Sequence, residues 1–275
     1  MKQRAIKDIC QLSEQDLFRE VSAGMNLAIL NALAIEIDAQ ALYAAQSNGY
    51  DILIAVAREE AAKALILFDA IRCPRQSPNF PRQVQRFNDH LAKGIYAEMC
   101  EWEPSSKADL QKYLKLERQQ FYSDGPNDVD WIFPNRILHS RERNMYVDYV
   151  KSADEHFWLN PFKHKRAFKH HTPRVVEIAK SLKATGCTHP ASLAAIAAKW
   201  RPTSIDDDYT RQKLRELNHS TLAELEVQKL IDESDKSAID TIVNYLPYPL
   251  HDADLSLINV EINDLERIQQ TYSGA

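Results

Sequence analysis

The amino-acid sequence predicts an all-α fold, on three observations. From Phe18 to Ser47 apolar residues return at three- and four-residue intervals, the period of a helix with one face turned inward. A second run, Tyr50 to Ile71, is mostly Ala, Ile, Leu, Val and Phe and stops at Cys73-Pro74. The chain has only 6 glycines, too few for a fold of many hairpins, and no alternating strand pattern of any length stands out.

The elements follow in order. Ser13-Glu14-Gln15-Asp16 opens the first long helix as a capping box, and Asn48-Gly49 closes it in a turn. The second helix, over about 50–72, should pack back on the first as an antiparallel hairpin. After the Pro-rich link CPRQSPNFPR, a third helix is expected over 81–101, with proline at its start. Further helices are expected over 107–123, 136–153, 173–186, 189–200 and 207–246, with loops at 124–135 and 156–163. The whole reads as an up-and-down helical bundle over residues 1–160 and a C-terminal helical extension over 161–275.

Bulk composition agrees with a soluble globular chain: 44% hydrophobic and 27% charged residues, net charge −5. Four scattered cysteines without a CxxC pair suggest reduced thiols. The N-terminus lacks the apolar core of a signal peptide, and Arg58-Glu59-Glu60 divides the best candidate for a membrane span. The expectation is a cytoplasmic protein with no membrane contact. Charge is uneven: residues 136–174 carry nine Lys/Arg against four Asp/Glu, and residues 203–275 six against fifteen. An acidic tail could thus shield a basic middle.

The second helix raises a question of its own, because Arg58, Glu59, Glu60 and Lys63 interrupt an otherwise apolar run. Glu60 and Lys63 stand at i,i+3 and Glu59 and Lys63 at i,i+4, so either carboxylate can reach the ammonium. A buried cluster also needs partners from another helix. The third helix offers Arg86, His90 and Lys93, spaced to share a face, and a carboxylate, an imidazole and an ammonium together can run acid–base chemistry. Further on, RERNMYVDY brings Arg141, Arg143, Asn144, Tyr146 and Asp148, groups suited to a phosphate and a ribose. Arg136 lies just upstream. FKHKRAFKHH interleaves Lys163, Lys165, Arg166 and Lys169 with two phenylalanines, a composition that fits single-stranded RNA as well as a plain amphipathic connector. His164, His170, His171, Cys187 and His189 match no familiar zinc spacing, so no metal is expected. No Gly-rich phosphate loop, GxSxG or HExxH occurs, and no cofactor is expected.

Taken in order, LYAAQSNGYDILIAVAREEAAKALIL, FNDHLAK and RERNMYVDY resemble the AbiV-type (abortive infection) branch of the HEPN superfamily over about residues 24–160. The resemblance implies a four- to five-helix bundle, a homodimer, and antiphage defence by metal-independent RNA cleavage. It also implies RNA as substrate and a phage protein or antitoxin as a further partner. The superfamily signature, Arg, a polar residue and then His at the start of the last core helix, is met by Arg143 and Asn144, while Asp148 stands in the His slot. The resemblance would give Arg143 the scissile phosphate and Asn144 the ribose or a supporting place at the dimer site; either His90 replaces the missing imidazole or the protein binds RNA without cutting it. Glu59, Glu60 and Lys63 would then face His90, Lys93 and Arg143. The alternative is a catalytically inactive helical module that binds RNA or protein, senses a phage component or regulates a partner.

Overall fold

Two long helices set the frame of the computed structural model. They are α2 (Glu14–Ala44) and α3 (Gly49–Arg72), packed as the expected hairpin. The described residues are 3–267, apart from 46, 48, 123–131, 144, 153–154, 160–170, 232–234, 260, 262, 264–266 and 268 onward. The short α1 (Gln3–Gln11) precedes the hairpin. Ser13 caps α2, its hydroxyl oxygen accepting from Asp16 N–H at 3.1 Å. By length and composition α2 could cross a membrane, which corrects the expectation that no run is long enough. Its inner face, from Leu17 through Met25 and Ile29 to Ala39, is nevertheless committed to the core.

The third expected helix is not continuous. It consists of α4 (Asn79–Gln85), a 3₁₀ turn at Arg86–Asn88, and α5 (His90–Met99). Asp89 makes the break: its backbone is extended and its carboxylate caps α5, accepting from the N–H of Leu91 and Ala92. Beyond it come α6 (Lys107–Arg118) and α7 (Arg136–Arg143). Two short antiparallel pairs were not foreseen. β1 (Gln120–Tyr122) pairs with β2 (Ile132–Asn135), and β3 (Asp148–Ser152) with β4 (Glu155–Leu159). The helix expected to run to residue 153 therefore stops at Arg143, because the β-branched and aromatic Val147, Tyr149 and Val150 favour a strand. Part of the expected loop at 156–163 is β4.

The C-terminal helices are α8 (Arg174–Ala184), α9 (Pro190–Trp200), α10 (Arg211–Val227) and α11 (Lys236–Tyr245), making eleven α-helices among the described residues. The single helix expected over 207–246 is split by a turn in which Lys229 takes φ 58° and Leu230 N–H returns to Leu225 C=O. Both α8 and α9 pack directly on α2 and α3, and one hydrophobic core runs from Ile6 to Leu255. Among the described residues, those before and after residue 160 contribute to this same core.

A strap over residues 246–258 crosses α3, the 3₁₀ turn and α6 above a buried polar network. Asp69 is fully buried; it holds Arg72, accepts from Tyr96 O–H at 2.6 Å and from Leu250 N–H at 2.7 Å. Arg86 donates to Gln83 and to the carbonyls of Leu250 and Ala253, and Lys107 to Asp252 and Pro249 C=O. Arg72 also lies over the Trp200 ring at 4.6 Å. Burial, reinforced by the Asp69 charge, pushes the Tyr96 phenol well above its ordinary pKa. The acidic residues of the strap pair here, Asp252 with Lys107 and Asp254 with Arg118. Shielding of the basic middle is not what these two carboxylates do.

Close approach of α5 and α7 depends on Gly94, since a Cβ there would collide with Cγ2 of Ile137. Gly94→Ala is expected to cost about 1–3 kcal/mol by overpacking, measured as a lower urea midpoint with an unchanged slope.

Candidate functional site

The charged interruption of α3 is resolved by α5. Glu59 Oε2 meets His90 Nδ1 at 2.8 Å and Lys93 Nζ at 2.9 Å, and Lys93 Nζ stands 3.2 Å from the same His90 nitrogen. Lys93 is buried, with its side chain 6% exposed, whereas the His90 side chain is 46% exposed. Glu59 and Lys93 both reach Nδ1, so the tautomer with its proton on Nδ1 donates to Glu59, and the one with its proton on Nε2 accepts from Lys93. In the first tautomer Nε2 is the basic nitrogen, the arrangement by which a carboxylate orients a general base.

Glu59 feels opposing influences. Burial raises its pKa, but the hydrogen bond and charge of Lys93, helped by His90, outweigh it and hold the carboxyl below the ordinary range. A depressed carboxylate contributes stability above its unfolded value of about 4.3, and that contribution is lost as pH falls through the folded value. Glu59→Gln should therefore flatten the acid limb of stability, read as urea midpoints between about pH 3 and 6 for both proteins. Parallel acid limbs would show that Glu59 is not the titrating group.

Glu60 forms a second cluster. It pairs with Lys63 and accepts from Asn31 Nδ2 at 3.0 Å, while the Lys63 ammonium lies 5.3 Å from the centre of the Phe87 ring. Glu60 and Lys63 thus border the expected site without meeting His90. Arg86, expected on the face of His90 and Lys93, is turned away by the Asp89 break and belongs to the buried network under the strap.

Beside Glu59 opens a cleft of about 180 Å³ between α3, α5 and α7. Arg58, Glu98 and Ser140 line it, and none of the three was picked out as a site residue from sequence. The signal was present: His90, Gly94 and Glu98 are spaced i, i+4, i+8, and Asp51, Ala55 and Glu59 likewise. Arg58 donates to Glu98 at 2.7 Å, and Arg136 bonds Glu117 at 2.6 Å and approaches Glu98 at 3.4 Å. Arg136, expected to bind RNA, thus ties α7 to α6 and α5, although half its side chain is exposed. The positive charges of this cleft are largely met by carboxylates.

Arg143 is the last residue of α7 and Asp148 the first of β3, so the two do not share a helix as the expected signature requires. The side chains of Arg141, Arg143 and Asp148 lie outside what the structure describes, as do Asn144, Lys163, Lys165, Arg166 and Lys169 entirely. Tyr146 is exposed. On the β3–β4 hairpin Tyr149 and Trp158 are both exposed with ring centres 5.0 Å apart, and the His156 ring stacks on Tyr149 at 5.7 Å. Among the described residues no group of three or more His, Cys, Asp or Glu is placed to hold a metal. Cys187 is buried and accepts from the Thr185 hydroxyl, and burial pushes its thiol up to about 11. Family models, curated proteins and solved structures were each compared with this chain, and none matches.

Proposed function

We propose that this chain is a HEPN-type, metal-independent endoribonuclease of antiphage defence, with His90 as its general base and RNA as its substrate. The observation that carries the reading is the Glu59–His90–Lys93 triangle, whose Glu59 also lines an open cleft. Cleavage through a ribose 2′-hydroxyl needs a proton acceptor, and a half-exposed imidazole bonded to Glu59 supplies one. The Lys93 ammonium is placed to stabilise charge that develops beside it. The exposed aromatic hairpin adds support, since exposed Tyr149 and Trp158, shortly before a basic stretch of sequence, suit unpaired bases.

A second reading, a helical module that binds RNA or protein without cutting, is favoured by one observation. Asp148 lies in β3, away from the helix that ends at Arg143, so the expected signature is not assembled on one helix. Incubating the purified full-length chain with structured RNA in EDTA separates the two. Discrete fragments support the ribonuclease, whereas retained binding with intact RNA favours the module.

A further inference from the structure

Arg211 and Arg215 stand four apart on α10 and therefore share a face. They line one small cavity, together with Trp102, Tyr245 and Tyr248. In each arginine Nε is buried and has no acceptor among the described residues. Arg211 finds partial relief elsewhere: its Nη2 donates to the Asn244 carbonyl at 3.3 Å and lies 3.2 Å from the exposed Glu103 carboxylate. Arg215 has no hydrogen bond or ion pair among the described residues.

The walls of the cavity are pinned. Thr210 caps α10, Arg211 N–H bonds Ser105 C=O at 2.9 Å, and Tyr248 O–H donates to Tyr209 C=O at 3.0 Å. The lining carries two guanidinium groups and no carboxylate. Burial, opposed by Glu103 and reinforced by the Arg215 charge, lowers the pKa of Arg211. A water molecule satisfies a lone N–H but leaves two like charges in one wall uncompensated. A planar anion answers both needs, because the arginine fork matches carboxylate oxygens. Size narrows the choice further. The cavity is about 20 Å³, room for one or two water-sized groups. The two oxygens of a carboxylate fit that space, and the four of a phosphate do not.

We propose that this cavity is a binding site for a carboxylate, with Arg211 and Arg215 as its donors. The site shares no residue with the cleft beside Glu59 and does not rest on the chemistry assigned to His90. Its carboxylate belongs to a free small acid or to the end of a peptide. Tyr248 lies two residues before Leu250, whose amide Asp69 holds, so an occupied site also steadies the start of the strap.

Acetate is the first probe, its few atoms limiting it to about millimolar affinity. Saturation-transfer NMR of its methyl signal with the full-length chain, at constant ionic strength, should show binding that formate displaces. Arg215→Gln should abolish the transfer with helical circular dichroism unchanged, and Lys213→Gln, exposed on the same helix, should retain it. If Arg215→Gln loses its helical signal, Arg215→Lys keeps the charge, removes the Nε donor and should weaken acetate about tenfold or more. No transfer from wild type means that the cavity holds only water and overturns the proposal. Equal transfer in wild type and Arg215→Gln, or undiminished affinity in Arg215→Lys, places the acetate elsewhere and overturns it as well. Inorganic phosphate that displaces acetate as readily as formate does overturns the carboxylate assignment. A tripeptide that displaces acetate only when its C-terminus is free assigns the carboxylate to a peptide end, and one that never displaces it assigns the site to a small acid.

Discussion

Asp69→Ala is expected to lower the unfolding free energy by about 3–5 kcal/mol, the usual loss when one partner of a buried ion pair is removed. Three groups lose their acceptor at once: the Arg72 guanidinium, the Tyr96 hydroxyl and the Leu250 amide, all of them buried. None can turn to water without opening the strap. A domain typically holds only about 5–15 kcal/mol in reserve, so the variant should unfold at a much lower urea concentration. It should also show faster amide exchange over residues 246–256 than elsewhere. Asp254→Asn is the matched control, because that carboxylate pairs with Arg118 at an exposed rim, where such bridges contribute under about 1 kcal/mol. Equal losses in the two variants would mean that the Asp69 network adds nothing beyond an ordinary surface pair.

His90→Ala should reduce RNA cleavage by about 10²–10⁴-fold, the range over which a positioned general base contributes, while stability stays within roughly 0.5 kcal/mol of wild type. The two readouts separate because the imidazole is half exposed, whereas its partners Glu59 and Lys93 carry the packing. RNA affinity should be unchanged if His90 moves protons and does not hold phosphate. Induced expression gives the cellular version: growth arrest with discrete RNA fragments in wild type, lost in the variant at equal protein level. A wild type that protects against phage with RNA intact, matched by His90→Ala, would transfer the function to binding alone.

The sequence made the α2–α3 hairpin legible because its period is regular and its turn short. The Glu59–His90–Lys93 triangle was legible too, since His90 and Lys93 stand at i,i+3 and α3 needed cations from outside itself. Arg86 misled for a local reason: periodicity counts through Asp89, whereas a capping carboxylate resets the helix there. The buried network could not be read at all. Arg86 reaches a carbonyl 164 residues away and Asp69 an amide 181 away, and backbone groups leave no mark on side-chain patterning. The β3–β4 hairpin was hidden by an arginine-rich helix immediately before it. Cutting the chain near residue 200 to expose the basic middle would also remove Leu214, Leu222, Leu225 and Tyr248 from the core, which sequence alone did not reveal.

The strap has a consequence for the order in which this molecule can be made. On the ribosome α3 emerges early, with Asp69, Arg72 and, soon after, Arg86 and Lys107, but the carbonyls and amide that complete them arrive only with residues 247–253. At about 5–20 residues per second, the nascent hairpin waits roughly ten seconds or more with its inner charges still hydrated. A translation product that ends before the strap therefore leaves Asp69, Arg72, Arg86 and Lys107 without the backbone partners that residues 247–253 supply.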